Sequence, residues 1–181
     1  MFSQEQVQEI VELLEPLDTS TKIYFGCDSV RSRKNGKWTA NYATVMIIHI
    51  NGKNGCRLFS TLSTEPDYDA KISRPRMRMM NEVRKVCEVY TQMIPYIENF
   101  AELVEGPDGE IIVKEFDIEV HLDINTDPQH GSNCAAKEAA GYVLAMTNLK
   151  EDQVKLKPDS FAASFGADAA AHGRFEKAIV V

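Results

Sequence analysis

Behind Ser3, apolar residues recur at helical spacing. Val7, Ile10, Val11, Leu14 and Leu17 share one face, and Ser3 with Gln6 forms a capping-box pair. This spacing predicts an opening helix of about four turns that stops near Pro16. The period then shortens to two. From Lys22 to Val30, Ile23, Phe25 and Cys27 alternate with Tyr24, Gly26 and Asp28, as in a strand. The polar stretch Arg31 to Lys37 contains Asn35-Gly36, a strong reversal signal. A second strand is predicted from Trp38 to Ile50, a turn over Asn51 to Gly55, and a third strand from Cys56 to Thr64. Strands joined by such short turns form an antiparallel meander.

The helical period returns after Pro75. Met79, Val83, Val86, Tyr90, Met93 and Ile97 fit a long helix reaching to about Val104, opened by Ser73 and Pro75 and kinked or divided at Pro95. A loop around Pro107-Asp108-Gly109 precedes a fourth strand, Phe116 to Asn125. An alanine-rich helix from Ser132 to Leu149, a fifth strand from Gln153 to Lys157 and a final helix from Asp159 to His172 complete the order. Strand, helix, strand, helix, strand predicts parallel strands with right-handed crossovers. The expected fold is α/β: a mixed five-stranded sheet, three strands antiparallel and two parallel, flanked by helices. Residues 1–181 read as a single domain, with an N-terminal helix over 1–18, a core over 22–173 and a tail over 174–181.

Composition narrows the class. Apolar residues are 44% and charged residues 26%, which excludes intrinsic disorder. Twenty Lys and Arg against 27 Asp and Glu leave a net charge of −7, so the chain does not coat nucleic acid by bulk positive charge. A local grip on a polyanion is still open. No apolar run reaches the ~18 residues of a membrane span, and Met1-Phe2-Ser3-Gln4-Glu5 lacks the features of a secretory signal. Cys27, Cys56, Cys87 and Cys134 are irregularly spaced, so reduced core thiols in a cytoplasmic protein are expected.

Four acids have apolar neighbours. Asp28 ends an almost wholly apolar strand, and Asp123 lies between Leu122 and Ile124. With the first and fourth strands at the sheet centre, these two carboxylates would lie side by side and repel unless something positive sat between them. Glu82 edges the buried stripe of the long helix, and Asp168 follows Phe161 and Phe165 on the final one. Each alone has an ordinary explanation: a turn cap, a loop anchor, a helical ion pair, an edge position. Together they are hard oxygen ligands without paired histidines or cysteines, which suits Mg²⁺ or Mn²⁺ better than zinc.

This order of acid-bearing elements resembles the RNase H-like plan. More narrowly, Gly26-Cys27-Asp28-Ser29, Ile118 to Ile124 and Lys157 to Ser164 resemble the YkuK-type RNase H-like nucleases of bacteria and phages, over about Lys22 to Gly173. The resemblance implies that Asp28 is the first-strand acid shared by two metal ions, Glu82 the helical acid, Asp123 the fourth-strand acid and Asp168 the acid of the last helix. Asp159 competes for the last role. The implied activity is hydrolysis of nucleic-acid phosphodiesters (DNA, RNA or a hybrid) with two Mg²⁺ or Mn²⁺ ions. The loop from Asn125 to Asn133 departs from the family pattern.

Basic residues near these acids are candidates for holding phosphate: Arg31, Arg33 and Lys34 after Asp28, Arg74 and Arg76 at the start of the long helix, and Lys157 at the end of the fifth strand. Solvated turns and helix ends explain them as well. His121 and His130 offer a rival transition-metal site or proton shuttle, and Cys27 reads as packing. A non-catalytic module that binds nucleic acid or a protein is the alternative, because fold does not imply function. A metallohydrolase of small phosphorylated molecules is a third reading.

Overall fold

Asn35 and Gly36 both take positive φ, 50° and 78°, the conformation a two-residue hairpin turn demands. The strands they join therefore pair up to the turn itself, Lys34 opposite Lys37. β1 spans Lys22–Lys34 and β2 spans Lys37–His49. β1 is thus longer than its alternation predicts, and Arg31 and Arg33 lie on a strand rather than in a loop. The structure, a computed structural model, describes residues 1–173 apart from Ala70, Ile72 and Gly109; the expected tail, 174–181, lies outside the described residues.

The opening helix α1, Gln4–Leu14, starts with the expected box: the Gln6 amide N–H donates to Ser3 Oγ and the Gln6 side chain accepts from the Ser3 amide. β3 is Cys56–Pro66 and α2 is Arg76–Ile97. Neither Ser3-like capping nor Ser73 opens α2. Instead, Asp69 reaches it from the preceding loop, accepting from the Met77 amide at Oδ1 and the Arg78 amide at Oδ2, each at 2.9 Å. Two otherwise orphaned donors are satisfied by one buried carboxylate at the positive end of the helix. Asp69→Ala is expected to lower stability by about 1–2 kcal/mol, read as an earlier urea midpoint with an unchanged slope.

α2 ends sooner than its periodicity predicts. Pro95 falls in its last turn, a 3₁₀ turn follows at Glu98–Phe100, and Val104 belongs to a strand. β4 (Glu102–Glu105) pairs antiparallel with β5 (Ile111–Lys114), Leu103 opposite Val113 and Val104 opposite Ile112. Leu103 and Val104 satisfy a helical pattern equally well, and the matching aliphatic run across the turn decides for the hairpin. β6 is Asp117–Asn125, α3 is Ala136–Met146 behind a 3₁₀ turn at Gly131–Ala135, and β7 is Val154–Lys157. The last helical segment is a π-helix over Ala162–Ala167 running into α4, Asp168–Ala171.

The main sheet has the order β3-β2-β1-β6-β7. β1 pairs antiparallel with β2 and β2 with β3, whereas β6 is parallel to β1 and β7 to β6. The mixed five-stranded α/β sheet expected from the element order is what forms. Alternation divides it into two faces. Ile23, Phe25 and Cys27 of β1 and Ile118, Val120, Leu122 and Ile124 of β6 join the core beneath α1, α2 and α3. Tyr24 faces the other way, with Val45 and Ile47, beneath Ala162, Ala167 and Ala170. Among the described residues no helix is long and apolar enough to cross a membrane.

Candidate active site

The parallel ladder between β1 and β6 runs to Cys27 opposite Leu122. The next residues on the two strands are Asp28 and Asp123. Both follow the alternation toward the last helical segment, whose backbone lies unusually close to β1. A Cβ on Gly26 would stand 2.7 Å from the Ala163 nitrogen and 2.8 Å from the Ala162 carbonyl carbon. That approach brings Ser164 to donate to Asp123 Oδ1 at 2.6 Å. From the end of β7, Lys157 Nζ lies 2.9 Å from the same oxygen. Asp28 Oδ1 accepts from the Ser29 amide at 2.7 Å.

Glu82 arrives from the opposite face. Ser29 points toward α2, where its hydroxyl donates to Glu82 Oε1 and accepts from Arg78 Nη1 at 2.9 Å. Arg78 also donates to the Ser29 carbonyl at 2.8 Å and lies 3.7 Å from Glu82 Oε1. Glu82 is only 3% exposed, so it is no solvated helical glutamate. Asp168, on α4, has His172 Nδ1 3.1 Å from its Oδ1.

The electrostatics link these acids. Burial, then Asp123 and also Asp168, push the Asp28 carboxyl up to about 6, against the Ser29 amide and Arg78. Glu82 is raised well above the ordinary carboxyl range by burial first, then by Asp28 and Asp123, with Ser29 and Arg78 opposing. Each of the four acids therefore shares a field with at least one other across elements distant in the chain. Asp159 is not among them: it is exposed, and its field falls on His121. Of the two candidates for the last acid, Asp168 is the one whose charge acts on Asp28.

Among the described residues, no group of three or more His, Cys, Asp and Glu is arranged to hold a metal ion. The donors nonetheless suit a hard divalent cation. They are carboxylate oxygens, the ionisation of Asp28 and Glu82 is suppressed by burial and by neighbouring acids, and cationic side chains (Lys157 at Asp123, Arg78 near Glu82) already supply part of the missing positive charge.

The rival histidine site does not form around His121. This side chain is fully buried; its Nδ1 accepts from the Ala162 amide at 3.1 Å, so Nε2 carries the proton toward Glu119 Oε2 at 2.8 Å. Burial, the largest influence, lowers its pKa. Both ring nitrogens are engaged, Nδ1 in seating the last helical segment on β6 and Nε2 with Glu119 of the same strand. His130 is exposed on the loop after Asp123. Cys27 is a buried thiol pushed well up by burial, consistent with packing.

The proposed phosphate-holding residues are scattered. Arg31 binds inward, its Nε 2.5 Å from Asp67 and its Nη2 donating to the Asp69 carbonyl at 2.9 Å. Its guanidinium also covers the Trp38 ring at 4.3 Å, with Arg33 at 5.6 Å on the same ring. Arg33 is exposed, and the Lys34 side chain lies outside the described residues. Arg76 pairs with Glu138 of α3. Arg74 is exposed and lines, with His130 and Asn133, a groove of about 740 Å³. Among the described side chains of these six, Lys157 alone touches one of the four acids. Ser29, Arg78 and Ser164 complete the site, although nothing in the sequence marks them strongly for it. The four-residue spacing of Arg78 and Glu82 is the available clue for Arg78, and Ser164 has the weaker one of a hydroxyl in an alanine-rich helix.

Comparison with curated proteins and with solved structures finds no match. The family model described as Ribonuclease H-like matches residues 5–172, which takes in every element from α1 to α4. The sheet order, the parallel β1–β6–β7 set and the adjacent places of Asp28 and Asp123 at the ends of β1 and β6 agree with that match, and the chain belongs to the ribonuclease H-like family.

Proposed function

We propose that the protein hydrolyses phosphodiester bonds of nucleic acid, with Asp28, Glu82, Asp123 and Asp168 as ligands of two Mg²⁺ or Mn²⁺ ions. The observation that carries this reading is that Asp28 and Asp123 follow the last paired residues of the adjacent parallel strands β1 and β6, with Asp168 acting on Asp28 and both strand acids acting on Glu82. When bound, such ions acidify a water and neutralise charge on the scissile phosphate. Asp28 and Asp123 offer their carboxylates from the central strands, and Glu82 closes the site from α2. Ser29 orients Glu82, and Ser164 orients Asp123. Lys157 is positioned to release Asp123 and contact a substrate phosphate. The narrower likeness to YkuK-type nucleases, carried by Gly26 to Ser29, Ile118 to Ile124 and Lys157 to Ser164, supports the same assignment. The reading takes residues 1–181 as one domain that works in the cytoplasm.

A second reading, a module that binds nucleic acid or a protein without cleaving it, has one observation in its favour. Lys157 and Arg78 already partly compensate Asp123 and Glu82. Thermal melts separate the two. Under the nuclease reading, Mg²⁺ or Mn²⁺ at 100 times its Kd adds about 2.7 kcal/mol, or several degrees in Tm, and labelled nucleic acid is cut only with metal present. A melting curve indifferent to both ions, together with intact substrate, would leave the binding module.

A further inference from the structure

Immediately beside Asp123 lies a cavity of about 430 Å³ lined by Asn125, Thr126, Lys157, Pro158, Ser164 and Phe165. Two of its walls, Lys157 and Ser164, are the groups that touch Asp123. A third, Phe165, is 74% exposed on a helical segment whose Ala162, Ala163 and Ala167 are completely buried. An aromatic ring of that exposure, next to a cation and polar side chains, is apolar surface waiting for a flat apolar face. The volume is that of a small-ligand pocket, about 300–1,000 Å³, and Pro158 and Phe165 are its flat apolar elements.

The geometry points to a nucleobase subsite: Phe165 stacks on the unpaired base of the nucleotide next to the scissile phosphate, Lys157 meets its phosphate, and Asn125 and Thr126 face its polar edge. This rests on the nuclease reading for the position of the phosphate, and it goes further by naming the substrate class. A base inside a duplex has both faces covered by its neighbours, so only a splayed base can lie on Phe165. The nucleic acid at this site is single-stranded. Stacking of this kind reads every base, and it gives affinity without a sequence preference.

The test is binding of a fluorescein-labelled oligothymidylate, by anisotropy in Ca²⁺, to the wild-type chain, Phe165→Ala and Phe165→Trp. Phe165 is exposed, so both variants keep the fold, checked by circular dichroism. Phe165→Ala is expected to weaken binding roughly 10- to 100-fold, and Phe165→Trp to restore it. Oligonucleotides carrying one abasic site at each position in turn supply the second readout. One position costs the wild type as much as the alanine change does, and costs Phe165→Ala nothing more. Equal affinity of wild type and Phe165→Ala overturns the subsite. So does a wild type that does not bind the single strand, or a blunt duplex of the same sequence that binds as tightly with the same Phe165 dependence. Cleavage of the same oligonucleotide in Mn²⁺ is scored separately. Phe165-dependent binding without cleavage keeps the subsite and sinks the nuclease, and cleavage with Phe165-independent binding does the reverse.

Discussion

Asp28→Asn is expected to make the metal-free protein more stable at neutral pH while removing metal-dependent cleavage. The Asp28 carboxyl is raised from 3.8 to about 6 in the folded state, first by burial and next by Asp123. An unfolded chain ionises this group near 3.8, so between about pH 4 and 6 the native state holds the extra proton. Stability from this group therefore falls as pH rises through that window, and the penalty is complete above about pH 6. A rise of this size corresponds to about 3 kcal/mol, and asparagine, which carries no charge, recovers about 1–3 kcal/mol of it at neutral pH. Urea unfolding in chelator at about pH 5 and about pH 7.5 reads the effect: the variant's advantage grows with pH. Asparagine also offers one neutral oxygen where a cation needs an anion. Losing even an outer-shell partner lowers metal affinity or activity about 10–100-fold, so loss of a ligand is expected to exceed about 100-fold. In the wild type, Mn²⁺ affinity is expected to rise through about pH 6, with proton release measurable by calorimetry in buffers of different ionisation enthalpy. An asparagine variant that is less stable than the wild type at neutral pH without metal would contradict the crowded-carboxylate account.

The second large effect belongs to a residue with no chemistry. A methyl group on Gly26 would press into the backbone of Ala162 and Ala163, with 2.7 Å and 2.8 Å to the nearest atoms. Backbone cannot move aside as a flexible side chain can, so the π-helix and α4 must lift off β1. Such overpacking costs about 1–3 kcal/mol, and several degrees of Tm in a chain of this size. The functional loss is larger, because Ser164 leaves Asp123 and α4, which carries Asp168, leaves β1. Gly26→Ala is expected to retain the far-ultraviolet spectrum of the sheet and α2 but to lose the metal-induced rise in Tm. Gly141, on the exposed side of α3 with nothing within 4 Å of its would-be Cβ, is the control: Gly141→Ala should add about 0.5–1 kcal/mol. Equal behaviour of the two alanine variants would mean that the close approach at Gly26 does not hold the site together.

These expectations depend on features that differ in how visible they are along the chain. The capping box at Ser3, the Asn35-Gly36 reversal and the alternation that sends Asp28 and Asp123 to the same face are local, each read within a few residues. The β4–β5 hairpin was hidden because Leu103 and Val104 fit a helical stripe as well as a strand, and only the opposing Ile112 and Val113 distinguish the two. Arg31 looked like a free cation beside Asp28. Its partner Asp67 lies far along the chain and becomes adjacent through the β1–β2–β3 pairing. Asp69 caps α2 from outside the window in which helix caps are sought.

The amino-acid order by itself determined the period of each segment, the turn chemistry, the parallel and antiparallel strands, and which acids sit among apolar neighbours. All of these follow from steric and solvation preferences that act over one turn of helix or a few residues of strand. Only the tertiary structure engaged His121 in seating a helix, set Arg78 and Ser29 on Glu82, put Lys157 and Ser164 on Asp123, and lined one cavity with Phe165, Lys157 and Ser164. Those outcomes depend on distances between segments far apart in the chain, and one close contact at Gly26 sets several of them at once.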